Sequence, residues 1–363
     1  MSEEAPPQAV YSLTGDLPPG CPKVEDVFTP DLLAKYKPEI VHYILQTMAP
    51  GRPPAAHQVP LAEVRSNPAR FAGPWQKDVM GHERVADHEI VSEDGAKVPV
   101  KVYHPDPAKF GAGPYGMHLN FHGGGFVFGD LTSESHICLS MCEGAGVVVI
   151  DVNYRHCPEA IFGKCFQDGW AALQWARSSA ASLNIKPDSI SIGGVSAGGH
   201  ISIVLQRMAR DARIPLRICM ATVPPSTSCL QYKTYEESPF KSFREFAHGP
   251  VLPWARLTYF GKHCYPPERM DEIRRLNAPW QLAPLEAEDW NGMCPTFIRT
   301  AEVDPLRDEG EAYGMKLVEG GNTVTIKRYL GCPHMFMFYQ WLPEKQQYDR
   351  ESIAALKEAH GTQ

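Results

Sequence analysis

Residues 190–200 read ISIGGVSAGGH. A short apolar run, SISIGG (189–194), ends in two glycines, and Ser196 follows among residues with almost no side chains. The next stretch, HISIVLQRMAR, has the pattern of a helix. Gly194, Ser196 and Gly198 form G-x-S-x-G between that strand and that helix, the setting in which this pattern marks a nucleophile on a strained turn. Such a turn pushes the serine hydroxyl out beyond the sheet and brings neighbouring chains close, so positions 194 and 198 take no bulk. The helix starting there aims N–H groups and its positive end at developing negative charge. A structural Gly-rich loop would use the same letters, so the rest of the chain has to decide.

Around this stretch, strand and helix patterns alternate. DHEIVS and KVPVKVYHP flank EDGA as a hairpin. MHLNFHGG (117–124), the β-branched run GVVVIDVNY (146–154), SISIGG and LRICMATVP (216–224) read as strands. DGWAALQWARSSA (168–180) reads as a helix, with Asp168 as its cap. After residue 290 the alternation resumes: a strand over 295–303, a helix over 307–321, a strand over 323–330 and a last helix after PEKQQ. This order predicts an α/β protein with a mostly parallel central sheet and helices on both faces. The Pro-rich residues 1–85 (with TPDLLAKYKPEIVHYILQTM broken near Pro38) and the aromatic, charged residues 225–291 fall outside the alternation. They are expected to form a helical cap over a core made of residues 86–224 and 292–363.

Bulk properties exclude several classes. The chain has 363 residues and a formal net charge of -7, which argues against a nucleic-acid partner. Its 10 cysteines show no zinc-ligand spacing; Cys138 and Cys142 would simply share a helix face. The opening MSEEAPPQAVYSL lacks the basic and apolar regions of a signal peptide, and no run of about eighteen apolar residues suggests a membrane span. A cytoplasmic protein with reduced thiols is expected.

FHGGGF follows the strand near residue 121. Consecutive glycines let backbone N–H groups turn toward an anion without a Cβ in the way. Gly123, Gly124 and Gly125, with the Ala197 N–H after the serine, are the expected oxyanion donors, and His122 is expected to brace the loop. A serine nucleophile needs a base, and the base an orienting carboxylate, in the chain order Ser, acid, His. TAEVDPLRDEG offers Glu302, Asp304, Asp308 and Glu309; Asp304 sits just past its strand, with Pro305 fixing the turn. Of the later histidines His200, His248, His263, His334 and His360, only His334 lies just after a core strand.

The chain therefore resembles the hormone-sensitive-lipase-like branch of the α/β-hydrolases. The resemblance rests on His122–Gly125, YRHCPE (154–159), GVSAGG (194–199), DPLRDE (304–309) and His334, and covers roughly residues 86–224 and 292–345. It implies a serine carboxylesterase using Ser196, Asp304 and His334, without metal or organic cofactor, on small short- to medium-chain or natural-product esters. The alternative is a specialised biosynthetic hydrolase, thioesterase, lyase or cyclase. Monomer and homodimer both remain open. Many relatives carry Asp or Thr where this chain has Val195. Arg155 and Glu159 are expected to pair with each other, and Phe240, Phe243, Phe246, Trp254, Tyr259 and Phe260 either line an apolar pocket or form the cap's own core.

Overall fold

In the computed structural model, which describes residues 16–76, 79, 81–227 and 232–362, eight strands form one sheet. They are β1 (Val85–Val91), β2 (Lys97–Tyr103), β3 (Tyr115–Phe121), β4 (Val148–Val152), β5 (Ile185–Val195), β6 (Ile218–Thr222), β7 (Thr296–Val303) and β8 (Val324–Pro333). Their order is β1-β2-β4-β3-β5-β6-β7-β8. β1 and β2 form the expected antiparallel hairpin, β2 also pairs antiparallel with β4, and every later pairing is parallel. The expected α/β architecture with a mostly parallel sheet is the architecture found.

Side-chain alternation along the strands divides the interior into two cores. On β4, Val148, Ile150 and Val152 face a core completed by the helices Lys164–Ser178 and Ala197–Asp211. Val149 faces the other core, completed by the helices Ser135–Ala145 and Pro343–His360 and by Pro38–Thr47 from the N-terminal region. β3 and β4 are buried throughout, which explains their lack of an exposed polar face. Among the described residues, no helix is long and apolar enough to cross a membrane.

Several local expectations change. The final helix contains PEKQQ instead of following it, because Pro343 occupies its first turn, where a missing N–H is harmless. Asp168 does not cap its helix: the helix begins at Lys164, and Asp168 is buried inside it. There it accepts hydrogen bonds from Arg155 Nη2 at 2.7 Å and from the Arg155 backbone N–H at 2.9 Å. Arg155 therefore does not pair with Glu159. Its other carboxylate partner is Asp94 at 2.8 Å, while Glu159 takes Arg65 at 3.0 Å. Proximity in sequence was a poor guide here, since a long guanidinium reaches past its loop to carboxylates fixed by the sheet.

Residues 232–291 carry short helices, among them Lys241–Phe246, Trp254–Cys264 and Met270–Leu276. The aromatic residues do not share one setting. Phe246 is buried in the second core, and Phe243 packs with Leu252 and Leu306. Tyr259 and Phe260 reach Phe128, just past the glycine loop.

Removing one member of a buried ion pair strands the other and costs about 3–5 kcal/mol. Asp168→Ala is expected near the low end, about 3 kcal/mol, because Arg155 keeps Asp94 and some solvent. Urea denaturation at neutral pH measures it; a loss under about 1 kcal/mol would show that Asp94 alone holds Arg155.

Candidate active site

β5 ends at Val195, and the helix Ala197–Asp211 begins one residue after the serine. Ser196 itself has φ 55 and ψ -115, a region a residue with a side chain rarely occupies. Two backbone bonds hold it there: Ser196 N–H donates to Thr222 C=O at 2.8 Å, and His200 N–H donates to Ser196 C=O at 3.0 Å. The carbonyl oxygen of Phe121 explains the small neighbours. A Cβ at Gly194 would lie 2.3 Å from it, and one at Gly198 only 1.7 Å.

The register of β7 and β8 brings the other two residues together. Val303 is paired with Pro333, so Asp304 and His334 are the next residues on adjacent parallel strands. His334 Nδ1 lies 2.7 Å from Asp304 Oδ2, and His334 Nε2 lies 2.9 Å from Ser196 Oγ. A carboxylate on one side fixes the tautomer: Nδ1–H donates to Asp304, and Nε2 is left to accept from the serine O–H. Asp304 is fully buried, and its other oxygen accepts the Leu306 N–H at 3.0 Å. The remaining acidic candidates are engaged elsewhere. Glu302 accepts the Gly331 N–H at 2.6 Å, Asp308 accepts the Ser242 N–H at 2.8 Å, and Glu309 binds Thr227.

The glycine loop divides its amides. Gly123 N–H donates to Glu134 Oε1 at 2.8 Å, which removes it from the expected donor set. Gly124 (φ 130) and Gly125 (φ 62) have backbone angles that require glycine. A Cβ at Gly124 would meet the Phe128 carbonyl at 2.0 Å, and one at Gly125 the Phe260 ring at 2.4 Å. Among the described residues, the N–H groups of Gly124, Gly125 and Ala197 have no protein acceptor. His122 braces the loop as expected. Its Nδ1 bonds to Gly123 C=O at 2.8 Å, and its ring stacks on Tyr154, whose hydroxyl donates to His122 C=O at 2.8 Å. Val195 is buried in the second core, where its side chain lies beside the Gly123 backbone.

Sequence reasoning missed the polar layer behind this loop. Asn120 Nδ2 donates to Asp151 Oδ1 at 2.9 Å and to Glu134 Oε2 at 3.2 Å, and all three side chains are buried. The polar positions of MHLNF are the only hint, since His118 and Asn120 alternate with core residues. Burial is the main cause that pushes the Glu134 carboxyl up to about 8 and that of Asp151 up to about 7. Glu309 is pushed up to about 8 for the same reason. Tyr36, from the N-terminal region, is raised by burial and then by the nearby Asp304 charge.

A family model described as alpha/beta hydrolase fold matches residues 118–338. An AB hydrolase superfamily protein of Schizosaccharomyces pombe is 32% identical over 326 residues, 86% of this chain and 90% of that one. Carboxylesterase NlhH of Mycobacterium tuberculosis is 32% identical over 275 residues, 75% of this chain and 82% of that one. A solved α/β-hydrolase enzyme from the metagenome of Lake Arreo, Spain, superposes with TM-score 0.74 at 27% identity, covering 85% of this chain and 92% of its own. The chain belongs to the α/β-hydrolase fold family, as a carboxylesterase-type hydrolase of the hormone-sensitive-lipase-like branch.

The buried carboxyls make stability depend on pH. A Glu raised from 4.5 to about 8 keeps its proton in the folded state after the unfolded chain has released it. The folded state therefore loses stability as pH rises from about 4.5 through about 8. Buried histidines act in the opposite sense on the acid side: His200 and His360 are both lowered to about 4 by burial, so folding is weakened as pH falls from 6.5 toward 4. Glu134→Gln should flatten the alkaline side of the stability curve by about 1.4 kcal/mol per pH unit. Denaturation midpoints taken between pH 5 and 8 measure this, and curves of equal slope for the two proteins would contradict it.

Proposed function

We propose that the protein hydrolyses small carboxylic esters through an acyl-enzyme on Ser196, with His334 as base and Asp304 as its orienting carboxylate. The observation that carries this reading is the unbroken contact chain from Asp304 through His334 to Ser196 at the strained end of β5. The Ser196 oxygen attacks the ester carbonyl carbon while its proton passes to His334 Nε2. The resulting oxyanion is received by the free N–H groups of Gly124, Gly125 and Ala197. His334 then returns the proton to the departing alcohol oxygen, leaving an acyl-Ser196 ester. Water attacks that ester, gives a proton to His334 and releases the acid, and the proton goes back to Ser196.

The N-terminal residues and the 225–291 insertion form the cap in this reading. Support comes from Phe260 lying against Gly125 of the oxyanion loop, and from Arg65, whose guanidinium bonds to Cys157 C=O at 3.2 Å as well as to Glu159. A floor of packed aromatic rings suits short- to medium-chain acyl groups or a compact natural-product ester. None of the nine described cysteines forms a disulfide, which supports a reducing, cytoplasmic setting.

Incubation with p-nitrophenyl acetate and butyrate is expected to release nitrophenol. Ser196→Ala should lower kcat by roughly 10⁵–10⁶-fold and Asp304→Asn by about 10⁴-fold, with folding intact. A fluorophosphonate should add to Ser196, located by mass spectrometry of the peptide. Labelling at another residue, or turnover that survives Ser196→Ala, would refute the assignment.

A further inference from the structure

Arg256 stands in the helix Trp254–Cys264, four residues before Phe260. Most described arginines near the active-site rim meet a carboxylate: Arg65 meets Glu159, and Arg307 meets Asp308 and Glu245. Arg256 meets none. Its Nη1 donates to the Val251 carbonyl at 3.2 Å, and its Nε is buried with no acceptor. Its one ring contact is Phe260, 5.8 Å from the guanidinium carbon. The side chain is partly exposed, and burial is the main cause that lowers its pKa.

Its neighbours give its place. Phe260 covers Gly125 of the glycine loop. Tyr339, five residues after His334, lies within electrostatic range of Arg256. Tyr339 is likewise within electrostatic range of Tyr36, and Tyr36 of Asp304. His57, in the turn Ala56–Gln58 that packs on the Arg256 helix, lies close enough for the guanidinium charge to disfavour its protonation, and its Nδ1 is buried without a partner. Arg256 thus stands beside the glycine loop through Phe260, with its Nε donor unsatisfied and, among the described residues, no carboxylate partner. A desolvated guanidinium is a strong site for a planar anion, which it binds through two parallel N–H donors.

We propose that Arg256 is a specificity-determining residue that receives a free carboxylate carried by the ester, so that the preferred substrates are monoesters of dicarboxylic acids or esters with a carboxylated alcohol. This rests on the Ser196 hydrolase reading above. A neutral ester of equal size leaves the guanidinium unpaired and is disfavoured for that reason.

The test compares matched pairs: monomethyl adipate with methyl hexanoate, and 4-carboxyphenyl butyrate with phenyl butyrate. In the wild-type protein, kcat/KM is expected to favour the carboxylated member of at least one pair. Arg256→Gln should lower that preference by at least about tenfold, and Arg256→Lys, which keeps the charge without the fork, by less. A second readout needs no turnover: adipate, and not hexanoate, should raise the thermal midpoint of the wild type and of Ser196→Ala, and should fail to do so in Arg256→Gln. Preference unchanged in Arg256→Gln, or no adipate shift in the wild type, overturns the proposal while leaving the hydrolase reading intact. Absence of turnover on all four esters together with no fluorophosphonate adduct would instead defeat the hydrolase reading, and the adipate shift would still decide whether Arg256 binds a carboxylate.

Discussion

The Phe121 carbonyl oxygen occupies the space that side chains at positions 194 and 198 would need, 2.3 Å and 1.7 Å from their would-be Cβ atoms. This close approach follows from the parallel pairing of Phe121 with Gly194. It places the end of β3 directly beside the end of β5, so the glycine loop and the serine turn start from the same point. A Cβ at Gly123 would lie 3.6 Å from the Ser196 Cβ. Any side chain at 194 or 198 would separate the two strands and with them the free amides from the serine. The strain at Ser196 is tolerable because the bonds to Thr222 and from His200 fix the residue from both sides.

Behind the loop, the protein buries carboxyl groups beside its apolar cores. Glu134 gives up easy ionisation to accept the Gly123 N–H, and Asn120 ties it to Asp151 across the β3–β4 pairing. Such a layer is directional in a way that aliphatic packing is not. It fixes which of three successive glycine amides turns away from the serine. Its consequence for stability is a preference for the mildly acidic range, where the buried acids are still protonated and the buried histidines already neutral.

What could be read in the sequence, and what could not, follows from the range of each interaction. Ser196, Asp304 and His334 were legible because each lies at the end of a strand whose pattern is local, and because strand order fixes which ends converge. The sheet was legible for the same reason. The partners of Arg155 were not: Asp94 and Asp168 come from other elements, and only the assembled sheet puts them within 3 Å. Nor could the letters GGG say that Gly123 differs from its neighbours. That depends on the φ angles at Gly124 and Gly125 and on Glu134, an unremarkable letter in TSESH. Val195 stands beside polar chemistry but belongs to the second core, and its apolar character follows from that packing.

The meeting of Asp304 with His334 has a further structural condition. From Thr296 paired with Val324 to Ala301 paired with Tyr329, partners on β7 and β8 are 28 residues apart; at Val303 and Pro333 they are 30 apart. β8 therefore carries two extra residues in a bulge at its end. With a regular ladder, Asp304 would face Cys332, and the imidazole would lie beyond its reach. Gly331 supplies the turn with φ 67, and Glu302 holds it by accepting the Gly331 N–H. Glu302, one of the three carboxylates left over when Asp304 is assigned, thus acts on the imidazole without touching it, by pinning the bulge that delivers His334 to Asp304.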